Sequence, residues 1–359
     1  MISYGRQSID DDDIAAVTAV MRGDWLTQGP AIEAFEQGII EVTGARHAVA
    51  FANGTATLHG CAVAAGLGPG DLLATSPLTF MASANCGRYV GASIDLIDID
   101  PATLNLDPTR IGHDVDALVA VHYAGLPVDL RAVNRRPRVM IEDAAHALGA
   151  MTPDGPVGNC AHSDMCSFSF HPVKPVTTGE GGVVTTNDDE LAARLRRFRT
   201  HGIVRQPELG GWYYDIAELG FNYRMTDMQA ALGLSQLKKL HRFIDRRNQI
   251  ADRYRVLLAD LPLTLPPIAP AGFRHGYHLF TIQVADRRRV FAALRDAGIF
   301  VQVHYVPIYE HTISADIGKA AADYPNCAGV YEGLISMPIY PDLTDEDQDR
   351  VVAILRSTL

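Results

Sequence analysis

The sequence predicts an α/β protein with a mostly parallel central sheet, and three observations predict it. Short apolar runs of strand length alternate with helix-length amphipathic stretches from residue 48 to residue 199. Polar clusters follow several of those runs directly, and in parallel sheets ligands collect beyond the carboxyl ends of strands. The composition, 47% hydrophobic and 20% charged over 359 residues, is that of an ordinary globular protein. At roughly 150 residues per domain the length suggests two units. We place the join near 240–250, giving a large domain over 1–245 and a smaller C-terminal α+β domain over 246–359.

The elements follow in order. Asp10 to Asp13 suit the positive end of a helix that begins at Ile14. A loop over 23–30 leads to a helix over 31–43. Ala48 to Ala52 reads as a strand, Asn53-Gly54-Thr55 as a turn, and 55–66 as a helix. The strand Leu72 to Ser76, a helix over 80–90 and the strand Ile94 to Ile99 come next. Ala117 to Val121 is a strand that runs out at His122-Tyr123-Ala124-Gly125. Val139 to Ile141 is a strand that delivers Glu142-Asp143 to its end. Met165 to Phe170 and Gly182 to Thr186 are two more, the second followed by a helix over 188–199. One long amphipathic stretch covers 226–259, with Thr226 as its N-cap. Beyond a Pro-rich segment, Leu279 to Val284 and Phe300 to Tyr305 read as strands, and 287–297 and 344–357 as helices.

The net charge of −11 argues against a general nucleic-acid binder, which needs a basic footprint. The five cysteines form no C-x-x-C pair and read as buried, reduced thiols. The first residues lack the pattern of a signal peptide, and no apolar run is long enough to span a bilayer, so a cytoplasmic protein is expected.

The chemistry gathers at strand ends. Ser167 through Gly182 is a strand running into a loop with one lysine, Lys174, and then a glycine-rich turn. A lone loop lysine is ordinarily solvated, but a desolvated one stays partly neutral and becomes a Schiff-base former. Upstream, the strand ending at Asp143 offers the acidic partner that keeps the ring nitrogen of pyridoxal phosphate protonated. Asn53-Gly54-Thr55 is a strand–turn–helix junction whose free amides and helix dipole suit a phosphate, and Ser169 can add a hydroxyl.

With phosphate turn, ring-nitrogen acid and lysine in this order, the sequence resembles the DegT/StrS-type sugar-nucleotide aminotransferases of fold type I. The matching segments run nearly end to end: Trp25 to Pro30, Asn53 to Ala56, Thr79-Phe80, Glu142 to His146, Ser169 to Lys174 and Gly220 to Met225. The resemblance implies pyridoxal 5'-phosphate as cofactor and Lys174 as the catalytic residue that forms the internal aldimine. It implies that Asp143 pairs with the ring nitrogen and that Gly54, Thr55 and Ser169 hold the phosphate. It also implies that Phe80 stacks on the ring and that His146, where many relatives carry Gln, lies near the ring hydroxyl. Asn222 would reach the phosphate of a neighbouring subunit, making a homodimer with shared active sites.

A narrower likeness covers 170–182, 231–239 and 302–309. It is to the aminotransferase branch that serves pseudaminic acid biosynthesis. That branch implies amino transfer from L-glutamate to C4 of a UDP-linked 4-keto-6-deoxy-N-acetylhexosamine, giving UDP-4-amino-4,6-dideoxy-N-acetyl-β-L-altrosamine. His304 and Tyr305 would then lie at the sugar. Competing readings are an aminotransferase for another keto sugar, of GDP-perosamine or bacillosamine type, and a non-catalytic regulator that kept the fold. No metal is expected: His275 and His278 have H-x-x-H spacing, but in a strand they would face opposite ways.

Overall fold

The computed structural model describes residues 1–112 and 114–359. Seven strands form the central sheet. From one edge to the other they are His47–Phe51, Gly182–Thr186, Met165–Ser169, Val139–Asp143, Ala117–Val121, Leu72–Thr75 and Ser93–Leu96. Six run the same way. Gly182–Thr186 pairs antiparallel with both of its neighbours, so the sheet is mixed and mostly parallel, as the alternating pattern predicts. Helices cover both faces, which is why strands such as Ala117–Val121 are apolar throughout and wholly buried. The shared direction brings the residues after Phe51, Thr75, Val121, Asp143 and Ser169 to one rim.

The helix starts are well specified. Asp10 caps the helix Asp11–Met21 in a capping box with Asp13. Thr226 does the same for Asp227–Leu237 with Gln229. The 226–259 stretch is not one helix, however. It breaks at Lys238-Lys239 into Asp227–Leu237 and Leu240–Leu257. The break coincides with an anchor on the first helix: the Lys239 amine meets Asp10 and lies 2.8 Å from Asp13, which is itself fully buried.

The second of these helices passes from one core to another. Leu240 and Ile244 pack with Phe35, Phe168 and Phe170 beside the central sheet. Ile250, Ala251 and Tyr254 pack with Phe280, Ile335 and Val351 of the C-terminal part. In that part Phe280–Gln283 pairs antiparallel with Leu334–Met337. The expected strand over 300–305 shrinks to Ile299–Phe300, which pairs with Ile2–Ser3, because the chain beyond turns away toward the sheet rim.

Arg247 lies where the two cores meet. It is 1% exposed, and Nη1 donates to the carbonyls of Tyr277 (3.1 Å), His278 (3.4 Å) and Ile339 (3.0 Å). Burial lowers its pKa to about 10, still well above neutrality. Arg247→Ala strands three carbonyls and leaves a void, so unfolding in urea should show a loss of about 3 kcal/mol. A loss under about 1 kcal/mol would mean that those carbonyls find other partners.

Candidate active site

A cavity of about 620 Å³ opens at the rim of the sheet, the size of a cofactor or small-ligand pocket. It is lined by Gly54, Thr55, Phe80, Asp143, His146, Ser169, Lys174, His304 and Tyr305, nine of the ten residues singled out from the sequence. The tenth, Asn222, is exposed outside this cavity and bridges to Thr200.

At one end of the cavity the helix Gly54–Ala64 begins directly after the edge strand. Asn53 caps it, accepting from the Ala56 amide at 2.9 Å. The amides of Gly54 and Thr55 have no carbonyl a turn earlier in the helix to bond. Gly54 must be glycine for a local reason: a Cβ there would lie 2.7 Å from the Cβ of Ser169. The turn and Ser169 therefore form one cradle for an anion at a helix N-terminus. Gly54→Ala pushes these walls apart. We expect cofactor affinity in a titration of the apoprotein to fall about tenfold; unchanged affinity would place the phosphate elsewhere.

Asp143 ends its strand with its carboxylate held in place. Ser83 Oγ donates to Oδ2 at 2.7 Å, and the Ala145 amide donates to Oδ1 at 3.2 Å. Ser83 in turn meets Thr79 Oγ1 at 2.9 Å. Lys174 lines the same cavity, part-buried. Burial lowers its pKa from 10.5 to about 8, with Asp143 acting in the opposite direction. About a tenth of such amines are neutral at pH 7, a fraction some two orders of magnitude above that of an exposed lysine.

Phe80 is 60% exposed, so it is no core aromatic; its ring forms a wall of the cavity. His146 is buried with Nε2 3.0 Å from the Tyr305 hydroxyl. His304 Nδ1 lies 2.9 Å from Ser336 Oγ, and burial, helped by Lys174, lowers its pKa to about 4. The 275–278 segment is irregular rather than a strand. His278 lines the cavity, whereas His275 accepts from the Tyr277 amide at 2.9 Å and stacks on Tyr277.

Three contributors escaped sequence reasoning. Tyr4 arrives from the N-terminal strand, packs on His304 with ring centroids 4.9 Å apart, and lines the cavity. His278 and Tyr223 line it as well. Tyr223 stood inside the Gly220 to Met225 segment, so the signal was present; Tyr4 and His278 had none.

A helix N-terminus for a phosphate, a carboxylate fixed at a strand end, a partly neutral lysine and an aromatic wall around one cavity define a pyridoxal-phosphate enzyme. The donor set fits that cofactor at each end: amides and a hydroxyl for the phosphate, a carboxylate for the ring nitrogen, an amine for the aldehyde. The chain belongs to the DegT/DnrJ/EryC1/StrS aminotransferase family, whose model matches residues 7–356. It is a sugar aminotransferase with the fold of the pyridoxal-phosphate aminotransferases, and pyridoxal 5'-phosphate is its cofactor.

Among relatives, it is 35% identical to the spore coat polysaccharide biosynthesis protein SpsC of Bacillus subtilis, over 99% of this chain and 96% of SpsC. It is 34% identical to the UDP-4-amino-4-deoxy-L-arabinose–oxoglutarate aminotransferase of Shewanella sediminis, over 98% of this chain and 96% of that one. Of solved structures, Helicobacter pylori PseC, an aminotransferase involved in the biosynthesis of pseudaminic acid, superposes with a TM-score of 0.91. The two share 29% identity over 99% of this chain and 98% of PseC.

Proposed function

We propose that this chain transfers the amino group of L-glutamate to C4 of a UDP-linked 4-keto-6-deoxy-N-acetylhexosamine, forming UDP-4-amino-4,6-dideoxy-N-acetyl-β-L-altrosamine. The observation that carries the reading is the single cavity, of about 620 Å³, that joins Lys174 and Asp143 to His304 and Tyr305. The likeness to PseC supports the pathway. The Shewanella sediminis relative, whose name pairs a UDP sugar with oxoglutarate, supports a UDP sugar and 2-oxoglutarate as the keto acid.

When bound, pyridoxal phosphate supplies an electron sink for the carbon that carries the transferred amine. The side chains do the rest. Gly54, Thr55 and Ser169 anchor the phosphate, and Asp143 keeps the ring nitrogen protonated. Phe80 covers one face of the ring. Lys174 moves the proton between the amino carbon and the cofactor, a task its pKa of about 8 suits near neutral pH. His304 and Tyr305 face the sugar side. Glutamate departs as 2-oxoglutarate before the sugar enters, so one cavity serves both and the kinetics are ping-pong. The nucleotide supplies binding energy remote from C4.

The active unit in this reading is a cytoplasmic homodimer. Asn222, exposed outside its own cavity, reaches the phosphate bound by the other subunit. Exposed Trp212 and Leu219 in the same region suit a covered surface. A second reading, an aminotransferase for a different nucleotide-linked keto sugar, draws on the relatives, which are not of one pathway. A panel of UDP- and GDP-linked 4-keto sugars with glutamate separates the two. We expect 2-oxoglutarate release with the β-L-arabino UDP ketone. Turnover confined to a GDP ketone would overturn the substrate and spare the enzyme class.

A further inference from the structure

His278 is a buried titratable group of the cavity to which the reaction so far gives no task. It is 4% exposed. Arg247 fixes its backbone by donating to the carbonyls of Tyr277 and His278. The His146 ring packs on it with centroids 4.3 Å apart. Its Nδ1 is sealed in without a partner among the described residues. Its Nε2 bonds to none of the described residues either, and it stays open to the cavity that His278 lines.

A neutral imidazole has one N–H and one lone pair. A proton on Nδ1 would be a buried donor with no acceptor, which folded proteins rarely tolerate; a lone pair left unfilled there costs less. The His278 proton therefore sits on Nε2 and points into the cavity. His304 reaches the same state by another route. Its Nδ1 lies 2.9 Å from Ser336 Oγ, and Ser336 is fully buried. That hydroxyl makes no other hydrogen bond among the described residues, so its proton goes to Nδ1. The imidazole proton is left on Nε2, open to the cavity. Burial keeps both rings neutral, and in each the nearby Lys174 amine adds to the effect.

Two N–H donors thus stand near Lys174 with no protein acceptor. The amino donor brings an acceptor to that place. Its α-carboxylate is bonded to the carbon that carries the transferred amine, so it must lie close to the lysine that the amine displaces. Proteins commonly meet a carboxylate with arginine. Among the described residues that line the cavity there is no arginine, and Lys174 is the only lysine. An arginine would also be left as an unpaired buried charge whenever the uncharged sugar ring took the donor's place. Neutral N–H groups suit an anion and a sugar oxygen in turn.

We propose that the Nε2–H groups of His278 and His304 bind the α-carboxylate of the amino donor. The proposal rests on the reading of L-glutamate as that donor. It gives His278 a binding role, adds the donor to the duties of His304, and makes Ser336 a positioning residue that acts through His304.

Two measurements test it. The first is nitrogen-15 NMR of histidine-labelled apoprotein, with signals assigned by their loss in His278→Gln and His304→Gln. We expect the Nε2–H tautomer for both rings near neutral pH. An Nδ1–H tautomer at either would overturn the proposal with no donor present. The second follows the visible band of the holoenzyme as L-glutamate discharges it in a single half-reaction, without sugar. The half-saturating glutamate concentration should rise about tenfold in His278→Leu, with the limiting rate less affected. His278→Gln, whose amide N–H can replace the lost donor, should stay within about threefold of the parent. The α-amide of glutamate then assigns the carboxylate. It should bind the parent about tenfold more weakly than glutamate, and in His278→Leu that gap should narrow to about threefold. L-Glutamine, amidated at the other carboxylate, should show the same penalty in parent and variant. Discharge of the parent band by glutamate with an α-amide gap unchanged in His278→Leu would sink this proposal alone. A parent whose band glutamate leaves intact would remove the glutamate reading, and the proposal with it.

Discussion

Lys174→Ala should abolish transamination, with kcat down by at least about four orders of magnitude, and should erase the visible absorbance of the purified protein. Both losses come from one atom. The amine is the only lysine nitrogen among the cavity-lining residues, and partial burial there holds its pKa at about 8. The neutral amine is the form that can join an aldehyde, and its fraction grows as pH rises through that value. The rate at which parent apoprotein captures pyridoxal phosphate should therefore climb between about pH 7 and pH 8 and level off above. A rate flat across that window would show that Lys174 has an ordinary exposed pKa. Phosphate anchoring survives the substitution, since Gly54, Thr55 and Ser169 are untouched. The variant should still bind the cofactor, reversibly and without the band, and a variant that keeps the band would place the bond on another amine.

How much of this could be read from residues alone varied with the physical signal. The strand ends were legible because buried strands are short apolar runs closed by turn residues, so Asp143, Ser169 and Asn53-Gly54 fall at the rim with little ambiguity. Strand direction was not: Gly182–Thr186 is apolar and fully buried whichever way it runs, and its antiparallel pairing leaves no mark on the pattern. The break at Lys238-Lys239 carries neither Pro nor Gly, and the hydrophobic spacing continues across it, so one helix was the natural reading. Residues that reach the cavity through tertiary folding were invisible. Tyr4 is brought in by the pairing of Ile2–Ser3 with Ile299–Phe300, and His278 by a segment whose carbonyls Arg247 holds. Ser83 is in the same class: a serine in a helix gives no hint that its hydroxyl holds a carboxylate sixty residues away.

That serine matters for the second large effect. Asp143→Asn should lower kcat by about three orders of magnitude while leaving the visible band in place, because Lys174 still joins the cofactor. The carboxylate accepts from Ser83 and the Ala145 amide, and in the proposed mechanism it also faces the ring nitrogen as a negative charge. An amide oxygen can take over one acceptor role, so the fold and the cofactor site should persist. It brings no charge, so the ring nitrogen loses its proton at neutral pH and the ring stops drawing electrons from the reacting carbon. The defect should accordingly sit in kcat rather than in cofactor affinity. A cofactor analogue methylated on the ring nitrogen carries a permanent positive charge and needs no acid to hold it. It should return activity to Asp143→Asn and do nothing for Lys174→Ala. If the analogue fails to help the first variant, the carboxylate acts on something other than the ring nitrogen. Ser83→Ala supplies the graded control: the charge stays and only its alignment loosens, so kcat should fall by about tenfold with the band unshifted.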